Sequence, residues 1–156
     1  MIEVEIEDDA WRAALPAAQA LAVRAAEAAL SRAQDDLAVA DVVILLADDE
    51  VVRDLNARFR GQDRPTNVLS FPAPPNPEGH LGDIALAFGV CAREAEAQGK
   101  GIGDHLQHLV AHGALHLLGY DHTDDADAEE MEGLERVILA GLGVADPYAA
   151  ERGEHG

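Results

Sequence analysis

The sequence predicts an α+β fold in which a small, mixed four-stranded β-sheet is packed by about five helices. Strand patterns come early in the chain, whereas helix patterns cluster in its last third. No internal repeat or interdomain linker interrupts the chain, and 48% of its 156 residues are hydrophobic. We therefore expect one domain over residues 1–148, followed by a loose tail over 149–156.

Four segments have strand patterns. Residues 1–8 alternate isoleucine or valine with acidic residues, which indicates a strand with one solvated face. Residues 40–48 form a short, continuous apolar run that is typical of a buried strand. Two further strands are predicted at 68–71 and 82–88, and a proline-rich loop over 72–79 lies between them.

Five segments have helix patterns, and several begin or end on recognisable residue types. In chain order they are residues 15–34, 48–60, 90–99, 104–118 and 124–141. In the fourth, Asp104 and Gln107 predict an N-terminal capping box, and Gly119 predicts the left-handed residue that ends the helix. The acidic stretch at 124–135 is most simply interpreted as a solvated helix start.

The charge of the chain is strongly negative but unevenly distributed. Thirty acidic residues against 11 basic ones give a net charge of −19, which by itself argues against binding nucleic acid. However, four arginines fall within twelve positions, at Arg53, Arg58, Arg60 and Arg64. This local cluster matters more for docking a polyanion than the total charge does.

The cellular compartment is indicated by the cysteine content of the sequence and by its apolar segments. Cys91 is the one cysteine, so an internal disulfide is excluded, and we interpret it as a small buried thiol in a reducing compartment. The first residues have neither the basic nor the apolar region of a signal peptide. The longest apolar run, at 42–47, is too short to cross a bilayer. We expect a cytoplasmic protein with no membrane partner.

The stretch HGALHLLGYDH, residues 112–122, has a histidine spacing typical of metal sites. His112 and His116 are four apart on the predicted helix, so both rings leave one face about 6 Å apart along its axis. Gly119 then lets the chain reverse, which would bring His122 back as a third ligand. Each histidine alone would more simply pack or cap, but the full pattern favours an open Zn²⁺ site with one ion per chain.

The residue after the first histidine separates this site from the zinc peptidases. In the H-E-x-x-H peptidases a glutamate stands there and activates the zinc-bound water, whereas this chain has Gly113. The site is therefore zincin-like in its helix and glycine turn but lacks the peptidase base. Peptide hydrolysis is not favoured.

Other residues near this stretch have less definite predictions. His105 and His108 lie on the same helix, but nothing downstream completes a second site, so exposed or supporting positions are expected. Asp121 and Asp83 are candidates to orient a ligand imidazole, as metal-bound histidines usually require. Asp121 could instead cap the following turn.

Three blocks of the sequence resemble one known family, the YbeY-type metal-dependent endoribonucleases, also called rRNA maturation factors. HGALHLLGYDH is similar to that family's pattern H-G-x-L-H-L-x-G-Y-D-H at every specified position. LNARFRGQDRPTNVLSFP at 55–72 is similar to a second hallmark, an arginine followed by PT-(D/N)-VLSFP, and LGDI at 81–84 to a third. The blocks cover most of residues 55–135, and the N-terminal third agrees only in its strand–helix–strand plan.

The resemblance implies one zinc ion on His112, His116 and His122, and cleavage of single-stranded RNA. It also implies a role in maturation of small-subunit (16S) ribosomal RNA and in ribosome quality control. The implied partners are ribosomal RNA, the small ribosomal subunit and ribosome-associated proteins.

The resemblance also implies a functional role for Arg60, which matches the arginine of the second hallmark. A guanidinium has a fixed charge and a planar set of donors that suits phosphate. From the residues alone, Arg60 would instead be a helix-end arginine paired with Asp54 or Asp63. Asn67 stands where many family members have aspartate, and we assign it no catalytic role.

Two other functions remain open at this point. One is a zinc hydrolase of another substrate, such as a peptide. The other is a metal-stabilised ribosome assembly factor with little catalysis, which the charge of −19 favours because an acidic chain would need a protein partner to reach RNA.

Overall fold

The computed structural model describes residues 2–31, 41–74, 79–120 and 124–147, which form a four-stranded sheet and six helices. Strands β1 to β4 span Ile2–Ile6, Asp41–Ala47, Val68–Pro72 and His80–Ala87. Helices α1 to α6 span Asp9–Ala14, Ala18–Ser31, Asp49–Arg60, Phe88–Ala97, Ile102–Leu117 and Asp125–Gly141. The predicted tail over 149–156 lies outside the described residues.

The sheet is mixed, with strand order β1-β2-β4-β3. Strand β2 runs parallel to both β1 and β4, whereas β3 pairs antiparallel with β4. The α+β class and the mixed four-stranded sheet are therefore confirmed. None of the helices in the described part of the chain is long and apolar enough to span a bilayer.

The number of helices is corrected from about five to six within the described residues. The additional helix, α1, has six residues, and the Asp8 carboxylate accepts a hydrogen bond from the Ala10 backbone N–H at its start. Trp11 anchors α1: its side chain is fully buried, and its indole N–H donates to the Ala47 carbonyl at 2.9 Å. A helix this short has too little periodicity to be recognised, and a tertiary contact stabilises it.

The two faces of the sheet are covered by different helices because alternate residues of each strand point to opposite sides. On one face, Ile84 and Leu86 of β4 join the apolar cluster that contains α2, α5 and α6. On the other face, Ala85 and Ala87 pack with Val52 of α3. Cys91 at the start of α4 is fully buried, as predicted for a packing thiol.

The first turn of α5 differs from the prediction. The helix begins at Ile102 with Gly101 as a cap that has no side-chain hydrogen bond, so the capping box at Asp104 is wrong. Instead, the Gln107 amide donates to the Gly103 carbonyl at 3.2 Å. Gly103 packs so closely on α2 that a Cβ there would lie 3.3 Å from the Leu21 side chain.

The last turn of α5 ends as predicted. Gly119 has a left-handed backbone with φ of 101°, which a glycine adopts without steric cost. The Tyr120 N–H donates to the Leu115 carbonyl and the Gly119 N–H to the His116 carbonyl, each at 3.0 Å. These two bonds define a Schellman motif, so the chain turns away from the helix axis at Gly119, three residues after the second histidine.

Candidate metal centre

His112 and His116 face each other on α5. Their Nε2 atoms are 3.1 Å apart and their ring centroids 4.6 Å apart. Two nitrogen ligands at 2.0–2.1 Å from a tetrahedral zinc ion lie about 3.3–3.4 Å apart, so the observed pair is close to that separation. The donor set of these two residues therefore fits one metal ion with little rearrangement.

A buried glutamate on α6 orients the first of these imidazoles. Glu135 is fully buried, and its Oε1 is hydrogen-bonded to Nδ1 of His112. Because a carboxylate only accepts hydrogen bonds, Nδ1 carries the proton and Nε2 presents its lone pair towards His116. Metal-bound histidines usually have such a carboxylate behind the ring.

Glu135 was missed by the interpretation of residues 124–135 as a solvated helix start. That interpretation holds for most of the stretch, but Glu135 is fully buried. A sequence signal for its burial exists. Glu135 lies four residues after Met131 and three and four before Ile138 and Leu139, and all three of these neighbours are buried apolar residues on the same helix face.

The third predicted ligand is His122, and the two aspartates predicted to orient a ligand are Asp121 and Asp83. His122 and Asp121 lie outside the described residues, so their roles stay predictions. Asp83 is on β4 with a side chain 56% exposed, and its carboxylate lies 3.0 Å from His80 Nε2. It points to the opposite face from its neighbour Ile84, which packs under α5. The structure thus does not bring Asp83 to the histidine pair. No group of three metal-ligating side chains is complete within the described residues.

The remaining histidines of α5 have side chains that are only 3% and 14% exposed, at His105 and His108. His105 is 2% exposed, and its Nε2 lies 2.9 Å from Glu94 Oε1 on α4. Burial lowers the pKa of His105 even though the hydrogen bond to Glu94 opposes this shift. His108 Nε2 lies 3.9 Å from Glu135 Oε2, next to the His112 ring.

Gly113 lies where α5 packs closely on the sheet. A Cβ at this position would lie 3.0 Å from both the Ile84 Cγ2 and the Ser70 Oγ. Both neighbours are held in place, because Ile84 is fully buried and the Ser70 hydroxyl donates to the Gly113 carbonyl at 3.2 Å. A side chain at the position that carries the base in H-E-x-x-H peptidases would therefore make tight contacts with the sheet.

The histidine pair opens into a cleft of about 540 Å³, which Arg60 also lines. Arg60 is the last residue of α3, and one of its terminal nitrogens donates to the Ser70 carbonyl at 2.5 Å. Its guanidinium carbon lies 5.8 Å from the centroid of the Phe71 ring, within range of a cation–π interaction. The cleft thus combines two metal-type ligands with one anchored cation.

The ion pairs of the arginine cluster leave Arg60 available to an anion. Asp63 pairs with Arg53 at 2.9 Å, and Asp54 pairs with Arg58 at 3.1 Å. Within the described part of the chain, no carboxylate pairs with Arg60. The alternative in which Arg60 is a helix-end partner of Asp54 or Asp63 is therefore wrong.

Two facing imidazoles backed by a buried carboxylate, beside an unpaired arginine, fit a hydrolase with an anionic substrate. Comparison with known proteins assigns the family. The sequence model described as Endoribonuclease YbeY matches residues 3–143. The chain belongs to the YbeY endoribonuclease family and is a hydrolase.

Individual relatives are similar over nearly the whole chain. The endoribonuclease YbeY of Rhodopseudomonas palustris is 51% identical over 158 residues, covering 94% of this chain and 80% of the relative. The endoribonuclease YbeY of Azorhizobium caulinodans is 52% identical over 153 residues, covering 95% of this chain and 96% of the relative. The solution structure of a Thermotoga maritima protein is similar to this chain with a TM-score of 0.62 and 26% sequence identity. The match covers 99% of this chain and 93% of that protein.

Proposed function

We propose that this protein is a zinc-dependent endoribonuclease that cleaves single-stranded RNA in the maturation of 16S ribosomal RNA and in ribosome quality control. Its partners are then ribosomal RNA of the small subunit and ribosome-associated proteins. The observation that carries the proposal is that Arg60, His112 and His116 line one cleft. Membership of a family of endoribonucleases supports it.

The proposed metal site holds one zinc ion on His112, His116 and His122. The first two imidazoles already face each other, and the left-handed turn at Gly119 redirects the chain that leads to His122. When bound, zinc supplies a Lewis acid that polarises a phosphoryl oxygen and lowers the pKa of water. Glu135 accepts from Nδ1 of His112, so Nε2 is the nitrogen of that ring that would bind the ion.

Arg60 is proposed to hold the scissile phosphate. Phosphodiester cleavage places extra negative charge on the phosphoryl oxygens, and an anchored guanidinium stabilises that charge without having to reorganise. The Ser70 carbonyl accepts from only one of the guanidinium N–H groups. The guanidinium has five N–H donors, so several remain for phosphate oxygens.

Single-stranded RNA is the proposed substrate because the ligands and the arginine lie inside a cleft rather than on a flat surface. An unpaired backbone can bend into such a cleft and expose one phosphate to both groups. A duplex presents a stiff A-form surface that proteins read mainly by shape. Gly113 separately disfavours the peptidase alternative, since glycine has no carboxylate that could act as the base.

The proposal is tested by incubating zinc-loaded protein with single-stranded RNA, a matched duplex and an unstructured peptide pool across a salt series. We expect preferential cleavage of the single strand, weakening as salt rises because the few arginine–phosphate contacts are screened. His116→Ala should abolish cleavage. Peptide cleavage with intact RNA would contradict the proposal. Cleavage of neither substrate, by protein that still supports ribosome maturation in cells, would favour the assembly-factor alternative.

A further inference from the structure

A second groove continues from the metal-site cleft. We call it the side groove; it has a volume of about 650 Å³. Its polar lining residues are Asn56, Gln62, Arg64, Thr66, Asn67 and Glu94. The side groove and the cleft share Arg60 and the segment 67–69, so these residues form a common wall. A single RNA strand with one phosphate at Arg60 can therefore continue into the side groove.

The side groove has its own unpaired cation. Arg64 is exposed, and no carboxylate within the described residues pairs with it. Arg53 and Arg58, the two members of the cluster that are neutralised by Asp63 and Asp54, do not line this groove. The positive charge of the cluster is thus available at Arg60 and Arg64, along the line from the cleft into the side groove.

The side groove also contains an oriented carboxylate. Glu94 Oε1 accepts from the Asn67 amide at 3.0 Å and lies 2.9 Å from Nε2 of the buried His105. These two contacts use both acceptor sites of Oε1. Oε2 has only the longer contact of 3.4 Å with the same amide, and the side chain is 35% exposed. Oε2 therefore retains an acceptor site, on a side chain that lines the groove.

We propose that the side groove binds the nucleotide next to the scissile phosphate, with Arg64 on a phosphate and Glu94 on the base. This inference rests on the proposed function, because it requires RNA to lie in the cleft. Val90 and Pro65 add apolar surface to the lining for the face of a base. Unpaired bases in RNA are commonly recognised by such a combination of apolar contact and hydrogen bonds to the base edge.

The chemistry of Glu94 predicts which base is preferred. A carboxylate only accepts hydrogen bonds, so it favours a base edge that presents N–H groups. Guanine presents two adjacent donors, N1–H and the exocyclic amine, whereas cytosine and adenine present one amine beside a ring acceptor. Uracil presents a single N–H between two carbonyl oxygens, which repel a carboxylate. We expect guanine to be preferred most and uracil least.

The test uses single-stranded RNA substrates that differ only in the base on either side of the cleavage site. We measure kcat/KM of the zinc-loaded protein for guanine, adenine, cytosine and uracil at each position. At one position, guanine should exceed uracil by about five- to tenfold, the effect of a base-edge contact worth about 1–1.4 kcal/mol. Binding of uncleavable analogues, followed by fluorescence anisotropy, should have the same order.

Two pairs of variants assign the effect to named residues. Glu94→Gln keeps an oxygen that can accept from Asn67 and His105 but should remove the base preference, whereas Glu96→Gln, at an exposed position on the same helix, should retain it.

Arg64→Ala should lower kcat/KM for all four bases severalfold. Arg58→Ala removes the same charge from an arginine already paired with Asp54, so it should have much less effect. If Glu94→Gln is unstable, Glu94→Asp is the second variant, because it withdraws the carboxylate by one methylene and should also lose the preference.

The outcomes separate this inference from the proposed function. Efficient cleavage of RNA with no base preference at either position overturns the side-groove inference alone. A base preference that survives in both Glu94 variants also overturns the side-groove inference, because Glu94 would then not recognise the base. A loss of activity in Glu94→Gln that is equal for all four bases overturns it too, because the carboxylate would then act only through its charge. Absence of cleavage by the unmodified protein overturns both.

Discussion

Glu135 on α6 holds Nδ1 of His112 on α5 from a fully buried position, 23 residues further along the chain. A carboxylate in that place sets both the orientation of the ring and the nitrogen that carries its proton. The placement of the His112 ring therefore depends on a residue of another helix. The packing of α6 against α5 is part of the site rather than only part of the core.

We expect Glu135→Ala to lower zinc affinity by about 10- to 100-fold, the usual cost of removing a residue that orients a metal ligand. Glu135→Gln should fall between this variant and the unmodified protein, since an amide oxygen still accepts from Nδ1. Competition with a chelator of known affinity measures the effect, and Glu130→Gln, at an exposed position of the same helix, is the control. Unchanged affinity in Glu135→Ala would limit Glu135 to a structural role.

The second prediction concerns the ligand set. Purified protein should hold about one zinc ion per chain, and His112→Ala, His116→Ala and His122→Ala should each lose most of it. His108→Ala is the matched control on the same helix and should retain the metal. The zinc content of the four variants, measured by metal analysis, shows which histidines bind the ion. Full zinc retention in His122→Ala would contradict the third ligand, and equal loss in His108→Ala would mean that His108, one turn before His112 on the same helix face, also binds the ion.

The third prediction separates a catalytic from a structural role for Arg60. Arg60→Ala should leave zinc content nearly unchanged and cut RNA cleavage by about 100-fold or more, as loss of a donor to transition-state charge does. Arg60→Lys should recover only part of the activity, because a point charge cannot replace the planar guanidinium. Arg58→Ala removes a nearby arginine that pairs with Asp54 and should cleave normally. A lower melting temperature with full activity in Arg60→Ala would assign Arg60 to the fold.

The fourth prediction tests the packing at Gly113. Gly113→Ala should reduce the free energy of unfolding by about 1–2 kcal/mol, because overpacking against Ile84 and Ser70 outweighs the gain of about 1 kcal/mol in helix propensity. Gly133→Ala on α6 is the control. The nearest atom to a Cβ there is an Arg136 side-chain nitrogen at 3.9 Å, so this variant should be stabilised. Urea unfolding of both variants measures the difference, and equal stabilisation would refute the steric argument.

The fifth prediction concerns Cys91. Burial, with smaller contributions from Glu94 and Asp49, raises the pKa of the thiol from 9.0 to about 12. At pH 8 the folded protein should therefore react with a thiol reagent far more slowly than protein unfolded in urea. Because the folded pKa is raised, the contribution of Cys91 to stability is present below about pH 9 and is lost as pH rises towards 12. Equal labelling rates in the two states would contradict the burial of the thiol.

Local patterns in the sequence were sufficient for much of this protein. The four strands, helices α2 to α6 and the placement of His112 and His116 on one helix face follow from apolar runs, alternating residues and helix-forming segments that are local in the sequence. The end of α5 follows from the left-handed preference of Gly119. These features depend on interactions within a few residues of each other, so they can be predicted without knowing the rest of the fold.

Only the tertiary structure decided the partners of the functional side chains. Contact of Glu135 with His112, the pairing of Asp54 and Asp63 with arginines other than Arg60, and the start of α5 at Ile102 each depend on how helices pack together. Packing is set by the shapes and volumes of many side chains that are distant in sequence, and no local periodicity encodes it. The sequence therefore determined which residues lie on each element, and the tertiary structure determined which carboxylate contacts His112 and which carboxylates pair with Arg53 and Arg58.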